Sequence, residues 1–473
     1  MAVPHGAPKT RLFGTDGVRG LVGRDITADL ALKLSAAAAR ELEAAQGLGY
    51  GATAAPPVRD HRQTSAPKRL RGIVGVDSRV SGDMLAAASA AGLASAGVDA
   101  VLAGVLPTPG LAYLTRSMGF DLGVMISASH NPYQDNGIKF FSGTGYKLPD
   151  AVEDAIEARL VEKWEPAVGE RVGVTRTDLA AVESYINFLT ETAPVSLDGM
   201  RVVLDCANGA AWAVAPEVFR RLGAEVTSLG VQPNGTNINS GVGSTHPERL
   251  QRAVVGLEAH AGFAFDGDAD RCLAVDSGGQ MVDGDMIMGI LALALRDRGE
   301  LAADSLVATV MSNLGLFKAM EKANIAVKVT PVGDRYVLEE MVRGGYVLGG
   351  EQSGHVIMSR HTTTGDGTLT AIQLACQVRF SGSTLGELAS AVPVFPQVLI
   401  NVREVDKSRV GTDPAVLAAL AEAEAELGEA GRVLLRASGT EPLVRVMVEA
   451  ATNDQAQAVA ERLAEVVARQ LDL

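Results

Sequence analysis

The 473-residue sequence has only three cysteines, Cys206, Cys272 and Cys376, an odd number at distant positions. Their spacing fits no metal-ligand pattern, so they read as reduced packing residues rather than a disulfide framework. A basic excess is also missing, since the formal net charge is -14. That excludes nucleic acid and an anionic membrane surface as expected partners, because both demand a broad cationic face. The longest apolar run, Met286 to Leu295, is too short to span a bilayer, and no apolar targeting segment follows Met1. The expected location is cytoplasmic. No lysine follows a glycine, which removes the Gly-Lys-Ser/Thr element of a Walker P-loop. Nor does a Gly-x-Ser-x-Gly elbow surround Ser129.

What is present is the composition of a soluble globular chain, 47% hydrophobic and 21% charged, with 52 glycines for turns between short elements. From Gly72 the pattern alternates. A strand Ile73 to Val76, a helix from Ser81, a strand to Val105, a helix and a strand Leu122 to Ile126 describe one α/β unit. A second unit runs through strands Val202 to Asp205, Val226 to Leu229 and Gly262 to Phe265. A third holds strands Leu306 to Val310, Val327 to Thr330 and Tyr346 to Leu348. Each ends in a polar, glycine-containing loop after a strand, where open α/β sheets place ligands. Strands Val433 to Leu435 and Val444 to Val448, followed by a helix from Asp454, predict a small C-terminal α+β domain. A Gly, Ala, Pro and Arg-rich stretch near 47-71 reads as an inserted loop.

Two motifs carry the chemistry. Ser129, in Ile126-Ser-Ala-Ser-His-Asn-Pro132, offers a hydroxyl that, once phosphorylated, carries nearly two negative charges and requires a cation. Asp266, Asp268 and Asp270, in Asp-Gly-Asp-Ala-Asp-Arg271, are alternate carboxylates able to turn to one side of an extended turn and meet a hard divalent cation. An EF-hand would need Gly and Glu where Arg271 and Ser277 stand, so calcium in that form is excluded. A plain polar turn between two strands is the competing reading.

Further loops add weaker signals. Arg19, in Phe13-Gly-Thr-Asp-Gly-Val-Arg-Gly20, sits between flexible residues, either reaching a reactive phosphoryl group or lying in a surface turn. Lys139 is a second cation or a proton-transfer group, and His130 does the same or holds the loop. Glu351 and Ser353, in Gly350-Glu-Gln-Ser-Gly-His355, suit vicinal sugar hydroxyls, whereas His355 reads as a hydrogen-bonded structural histidine. Arg436, Ser438, Gly439 and Thr440, with Arg445 on the next strand, make either a site for a tetrahedral dianion or a hairpin turn.

Taken in order along nearly the whole chain, these loops resemble the α-D-phosphohexomutase superfamily. The resemblance implies three repeated α/β domains with mainly parallel sheets plus a C-terminal α+β domain around a central cleft. It sets boundaries at 1-178, 179-281, 282-394 and 395-473. It further implies that Ser129 is phosphorylated and that Mg2+ binds the phosphoserine together with Asp266, Asp268 and Asp270. Arg271, Glu351, Ser353, Arg436, Ser438, Gly439, Thr440 and Arg445 would then bind a phosphosugar. The implied reaction interconverts glucosamine 6-phosphate and glucosamine 1-phosphate, primed by a trace of hexosamine or hexose 1,6-bisphosphate. A second copy of the chain and a protein kinase acting on Ser129 are further candidate partners. A mutase for glucose or mannose phosphates, or a non-catalytic sugar-phosphate binding protein, are the rival readings.

Overall fold

The computed structural model describes residues 11–14, 16–47, 69–438 and 443–473. Most of the inserted loop read near 47-71, namely 48–68, lies outside the described residues, as do Gly439 and Thr440. Two compact units result, one running Met1–Val310 and Lys328–Leu388, the other Met311–Val327 and Ala389–Leu473.

The first sheet of the first unit contains β1 (Val18–Leu21), β2 (Arg71–Val76), β3 (Asp99–Val105), β4 (Leu122–Ile126), β5 (Asp135–Ser142) and β6 (Thr175–Thr177), in the order β1-β5-β4-β2-β3-β6. It is parallel through β4, β2, β3 and β6, whereas β5 and β1 run antiparallel at one edge. Strands β2 and β4 are almost continuously apolar because both faces are covered. The helix Ala28–Gly47 packs on the helix Gly82–Ser95 through small residues, with Ala37, Ala38, Leu85 and Leu93 in one core with Val74 and Val124.

The second sheet holds β7 (Arg201–Asp205), β8 (Glu225–Leu229), β9 (Ala261–Phe265), β10 (Cys272–Asp276) and β11 (Met281–Val282), in the order β11-β10-β9-β7-β8. Again a parallel set, β9, β7 and β8, continues into an antiparallel hairpin, β9 to β10. The third contains β12 (Ser305–Thr309), β13 (Ala326–Thr330), β14 (Leu348–Gly350) and β15 (Val356–Met358), with β12 and β14 parallel. The strand expected at Tyr346 to Leu348 is displaced to Leu348–Gly350. Gly349 belongs to it because a Cβ there would lie 2.7 Å from the Met341 sulfur and 3.0 Å from Val307.

In the second unit β16 (Gln397–Arg403), β17 (Arg432–Ala437) and β18 (Leu443–Glu449) form an antiparallel sheet, β16-β18-β17, against the helices Pro414–Leu427 and Asn453–Gln470. The α/β class with a C-terminal α+β part is therefore as expected. Hairpins were underestimated, and β16 and the helices Glu248–Gly256 and Pro414–Leu427 are additions.

Asp366 caps the helix Gly367–Ser381 by accepting from the Leu369 amide at 2.9 Å, and it accepts from the Tyr185 hydroxyl at 2.7 Å. Burial nevertheless lifts its carboxyl to about 6. The folded state thus keeps a proton that the unfolded chain releases near pH ~4. This group's contribution is fully present below that value and is lost as pH rises through the folded pKa of about 6. Asp366→Asn should remove a fall in stability on the order of 2 kcal/mol between about pH 4 and about pH 6, read from urea midpoints across that window. An unchanged slope would show that Asp366 is not the titrating group.

Candidate active site

The serine loop bridges the C-terminal end of β4 and the start of β5, tied at its base by the Ser127 amide to the Gly137 carbonyl at 3.0 Å. Ser129 itself adopts φ 52°, a left-handed backbone that a non-glycine residue holds only at a cost of about 1–3 kcal/mol. Its neighbours enforce that conformation. Ser127 Oγ accepts from the Ser129 amide at 3.0 Å and donates to Asp77 Oδ2 at 2.6 Å. The fully buried Arg79 guanidinium pairs with Asp77 at 2.9 Å and donates to the carbonyls of Ser129 at 2.9 Å, Asn131 at 2.8 Å and Asp135 at 3.1 Å. Asn239 adds a bond to the Ser129 carbonyl at 2.9 Å.

Facing this loop, the turn after β9 carries the three aspartates. It is not extended, since Ala269 takes φ 57°, yet one oxygen from each of Asp266, Asp268 and Asp270 lies within 4.8 Å of the others. Gly267 makes the approach possible, because a Cβ there would stand 2.5 Å from the Ser129 carbonyl oxygen. Ser129 Oγ donates to Asp266 Oδ2 at 2.6 Å, and the Arg271 amide donates to Asp266 Oδ1 at 3.2 Å.

A hard cation fits this donor set. Asp268 Oδ1 and Asp270 Oδ1 are buried without any hydrogen-bond partner. The opposite oxygen, Asp268 Oδ2, is already held by Thr108 Oγ1 at 2.7 Å and Lys139 Nζ at 2.9 Å. Burial, with Asp270 and Asp268 beside it, pushes the Asp266 carboxyl well above its ordinary range. Three crowded acceptors, two of them orphaned, are what an oxygen-preferring divalent ion satisfies.

The cations around the triad are individually anchored. Lys139 is 2% exposed and lies 2.8 Å from Asp16 and 2.9 Å from Asp268. Burial alone would lower its ammonium pKa, but Asp16 and Asp268 hold it above the usual lysine value. Of the two readings of Arg19, the surface turn does not hold. Arg19 lies in β1, registered against Gly137, ion-paired with Asp16 and donating to the Ala128 carbonyl at 3.3 Å. His130 Nδ1 is 3.4 Å from Ser129 Oγ, and burial together with Arg271 and Arg19 lowers its pKa. His355 is hydrogen-bonded, as read from the sequence, and it adjoins the triad: Nε2 accepts from the Gly365 amide at 3.1 Å, and Nδ1 is 3.5 Å from Asp270 Oδ2.

The Glu351 to Gly354 turn is stitched to the aspartate hairpin by the Cys272 amide to the Gly354 carbonyl at 3.0 Å. Glu351 Oε1 accepts from the Gly333 amide at 3.0 Å, and Ser353 Oγ lies 3.5 Å from Glu351 Oε2. Ser129, Arg19, His130, Lys139, Arg271, Glu351, Ser353 and the three aspartates are thus all in the first unit. In the second unit, Arg436 on β17 is registered against Arg445 on β18, followed by the buried Ser438. Like charges placed directly opposite on one sheet face are unfavourable unless an anion lies between them. Sequence reasoning missed Asp16, Asp77, Arg79, Asn239 and Asp334. Only Asp77 and Arg79 carried a usable signal, as polar residues directly after a central strand.

A serine hydroxyl against three carboxylates that could hold a cation, set in repeated α/β layers, is an arrangement suited to phosphoryl transfer. Family models for phosphoglucomutase/phosphomannomutase match the chain as α/β/α domain I at residues 58–166, domain II at 183–279, domain III at 283–395 and the C-terminal domain at 399–466. The chain belongs to this phosphoglucomutase/phosphomannomutase family. It is 56% identical to phosphoglucosamine mutase from a Nocardioides species over 98% of this chain and 100% of that one. Among solved structures, a phosphoglucomutase/phosphomannomutase family protein from Burkholderia thailandensis has 23% identity and a TM-score of 0.79, covering 97% of each chain. A phosphomannomutase assigned as such in Thermus thermophilus has 26% identity and a TM-score of 0.75, covering 96% of this chain and 98% of that one. No helix among the described residues is long and apolar enough to cross a membrane.

Replacing Arg79 by Met strands a buried Asp77 and frees several loop carbonyls. The expected loss is on the order of 3 kcal/mol in urea unfolding, together with loss of activity. Full stability in Arg79→Met would contradict the role given to that guanidinium.

Proposed function

We propose that this protein interconverts glucosamine 6-phosphate and glucosamine 1-phosphate, with Ser129 as the phosphoryl carrier and Mg2+ as the cation. The observation that carries the reading is the Ser129 hydroxyl lying 2.6 Å from Asp266, inside a triad that leaves one buried oxygen each of Asp268 and Asp270 without a hydrogen bond. The amino-sugar substrate is supported by the full-length phosphoglucosamine mutase relative. Three buried, unpaired cysteines favour a reducing, cytoplasmic setting.

In the forward direction the phosphoryl group leaves Ser129 Oγ as a new P–O bond forms to the sugar O1, giving a 1,6-bisphosphate. The O1 proton passes to a nearby base. His130 is suited to this role, because its lowered pKa keeps the imidazole neutral and able to accept. Lys139 is instead a fixed cation, held protonated between two carboxylates. The bisphosphate then presents its other end, and the O6 phosphoryl group returns to Ser129 with release of glucosamine 1-phosphate. Bound Mg2+ would neutralise charge developing on the transferring phosphoryl oxygens. Arg19 and Arg271 supply the remaining positive charge, while Glu351 and Ser353 orient sugar hydroxyls. We assign the non-reacting phosphate to Arg436, Ser438, Gly439, Thr440 and Arg445. First loading of Ser129 is by a bisphosphorylated sugar or a protein kinase.

Initial rates with glucosamine 6-phosphate, glucose 1-phosphate and mannose 1-phosphate, with Mg2+ and trace bisphosphate, test the substrate by phosphorus NMR. A dominant rate on the amino sugar is expected, whereas a dominant neutral-sugar rate replaces the substrate and keeps the mechanism. Ser129→Ala should lose nearly all turnover with an unchanged unfolding midpoint; turnover by the pure variant rules out the covalent role. Because burial beside two other carboxylates holds a proton on Asp266 that it must shed to meet a cation, half-saturating Mg2+ should rise as pH is lowered. A flat titration would remove Asp266 from the ligand set.

A further inference from the structure

Lys147, which the transfer chemistry above does not use, lies between two carboxylates. Its Nζ is 2.5 Å from Asp16 Oδ1 and 2.6 Å from Asp334 Oδ2. Each carboxylate opens a different path. Asp16 continues to Lys139 at 2.8 Å and Lys139 to Asp268 at 2.9 Å, which ends at the cation site. Asp334 is the first residue of the helix Asp334–Gly344, and the preceding Gly333 donates its amide to Glu351 at 3.0 Å. Gly333 holds φ 133°, a conformation that ties the position of its amide to the start of that helix.

The surrounding segment repeats the same connection. The Gly145 carbonyl accepts from Thr363 Oγ1 at 2.5 Å, and Asp150 pairs with Arg335. These contacts join the stretch after β5 to residues that follow β13, so Lys147 is the charged centre of a seam between the serine-loop region and the sugar-loop region. A lysine 17% exposed, held on both sides by carboxylates themselves 21% and 18% exposed, is poorly screened by water.

We propose that Lys147 is a positioning residue that sets where Glu351 stands relative to the phosphoryl-transfer centre, acting through Asp334 and Gly333. The inference rests on the mutase reading. Without Lys147, Asp334 keeps only the more distant His355 Nε2, 3.8 Å away, against Asp16, so the helix start retreats and the sugar-reading carboxylate moves with it. Lys139 and Arg19 still neutralise Asp16, so the transfer centre keeps its own charge balance.

The full chain would be assayed as wild type, Lys147→Met, Asp334→Asn and the double variant, with glucosamine 6-phosphate at saturating Mg2+ and bisphosphate. Folded fraction is read in parallel by circular dichroism. The expected result is a KM raised about tenfold in each single variant, a kcat per folded molecule changed less than about threefold, and a double variant no worse than the worse single. Unchanged KM, additive losses in the double variant, or losses that track the folded fraction overturn the proposal. If Lys147→Met does not fold, the isosteric Asp334→Asn carries the same KM test. Wild-type kinetics separate the two ideas. Wild-type turnover of the amino sugar with variants that keep its KM defeats the positioning role alone. A wild type that turns over only a neutral sugar defeats the substrate reading, and the seam is then judged on that sugar's KM.

Discussion

Three carboxylates cannot share a water-poor turn unless positive charge surrounds them, and the polar architecture of the first unit follows from that constraint. Asp266, Asp268 and Asp270 are all buried, and so are the groups that answer them. Lys139 answers Asp268, His355 answers Asp270, and the Arg271 amide with Ser129 Oγ answers Asp266. Asp268 Oδ1 has no hydrogen-bond donor and Asp270 Oδ1 lies 3.8 Å from Arg271 Nε, a deficit that a bound cation would satisfy.

The cation network in turn explains how a short loop can hold a strained serine. Arg79 spends its hydrogen bonds on carbonyls of the loop, and Asp77 balances both Arg79 and Ser127. Burial lifts the Asp77 carboxyl despite Arg79, so burying this charged pair has a cost that the loop's hydrogen bonds must offset. Backbone conformation at Ser129 is therefore a property of a buried electrostatic cluster at the ends of β2 and β4, with Ser127 as the loop's own contribution.

Much of this was legible in the sequence because the serine and aspartate motifs are local, and each follows a strand with a clear apolar pattern. The unread parts depend on partners far away in the chain. Arg19 looked like a turn residue because its flanking glycines are a local signal, while its strand partner Gly137 is not. The helix Glu248–Gly256 buries only Leu250 and Val254, too sparse for helical periodicity to stand out. The helix Pro414–Leu427 is alanine-rich, so its buried face of Val416, Ala423 and Leu427 contrasts weakly with the rest. Gly349 and Gly350 were read as loop because glycine usually means a turn, but here packing against Met341 and Val307 demands it within a strand. Asp16 and Asp334 gain meaning only once Lys147 brings them together.

Gly267 against the Ser129 carbonyl has one further consequence. Main chain comes close to main chain there, so any side chain at position 267 would push the serine loop and the aspartate turn apart.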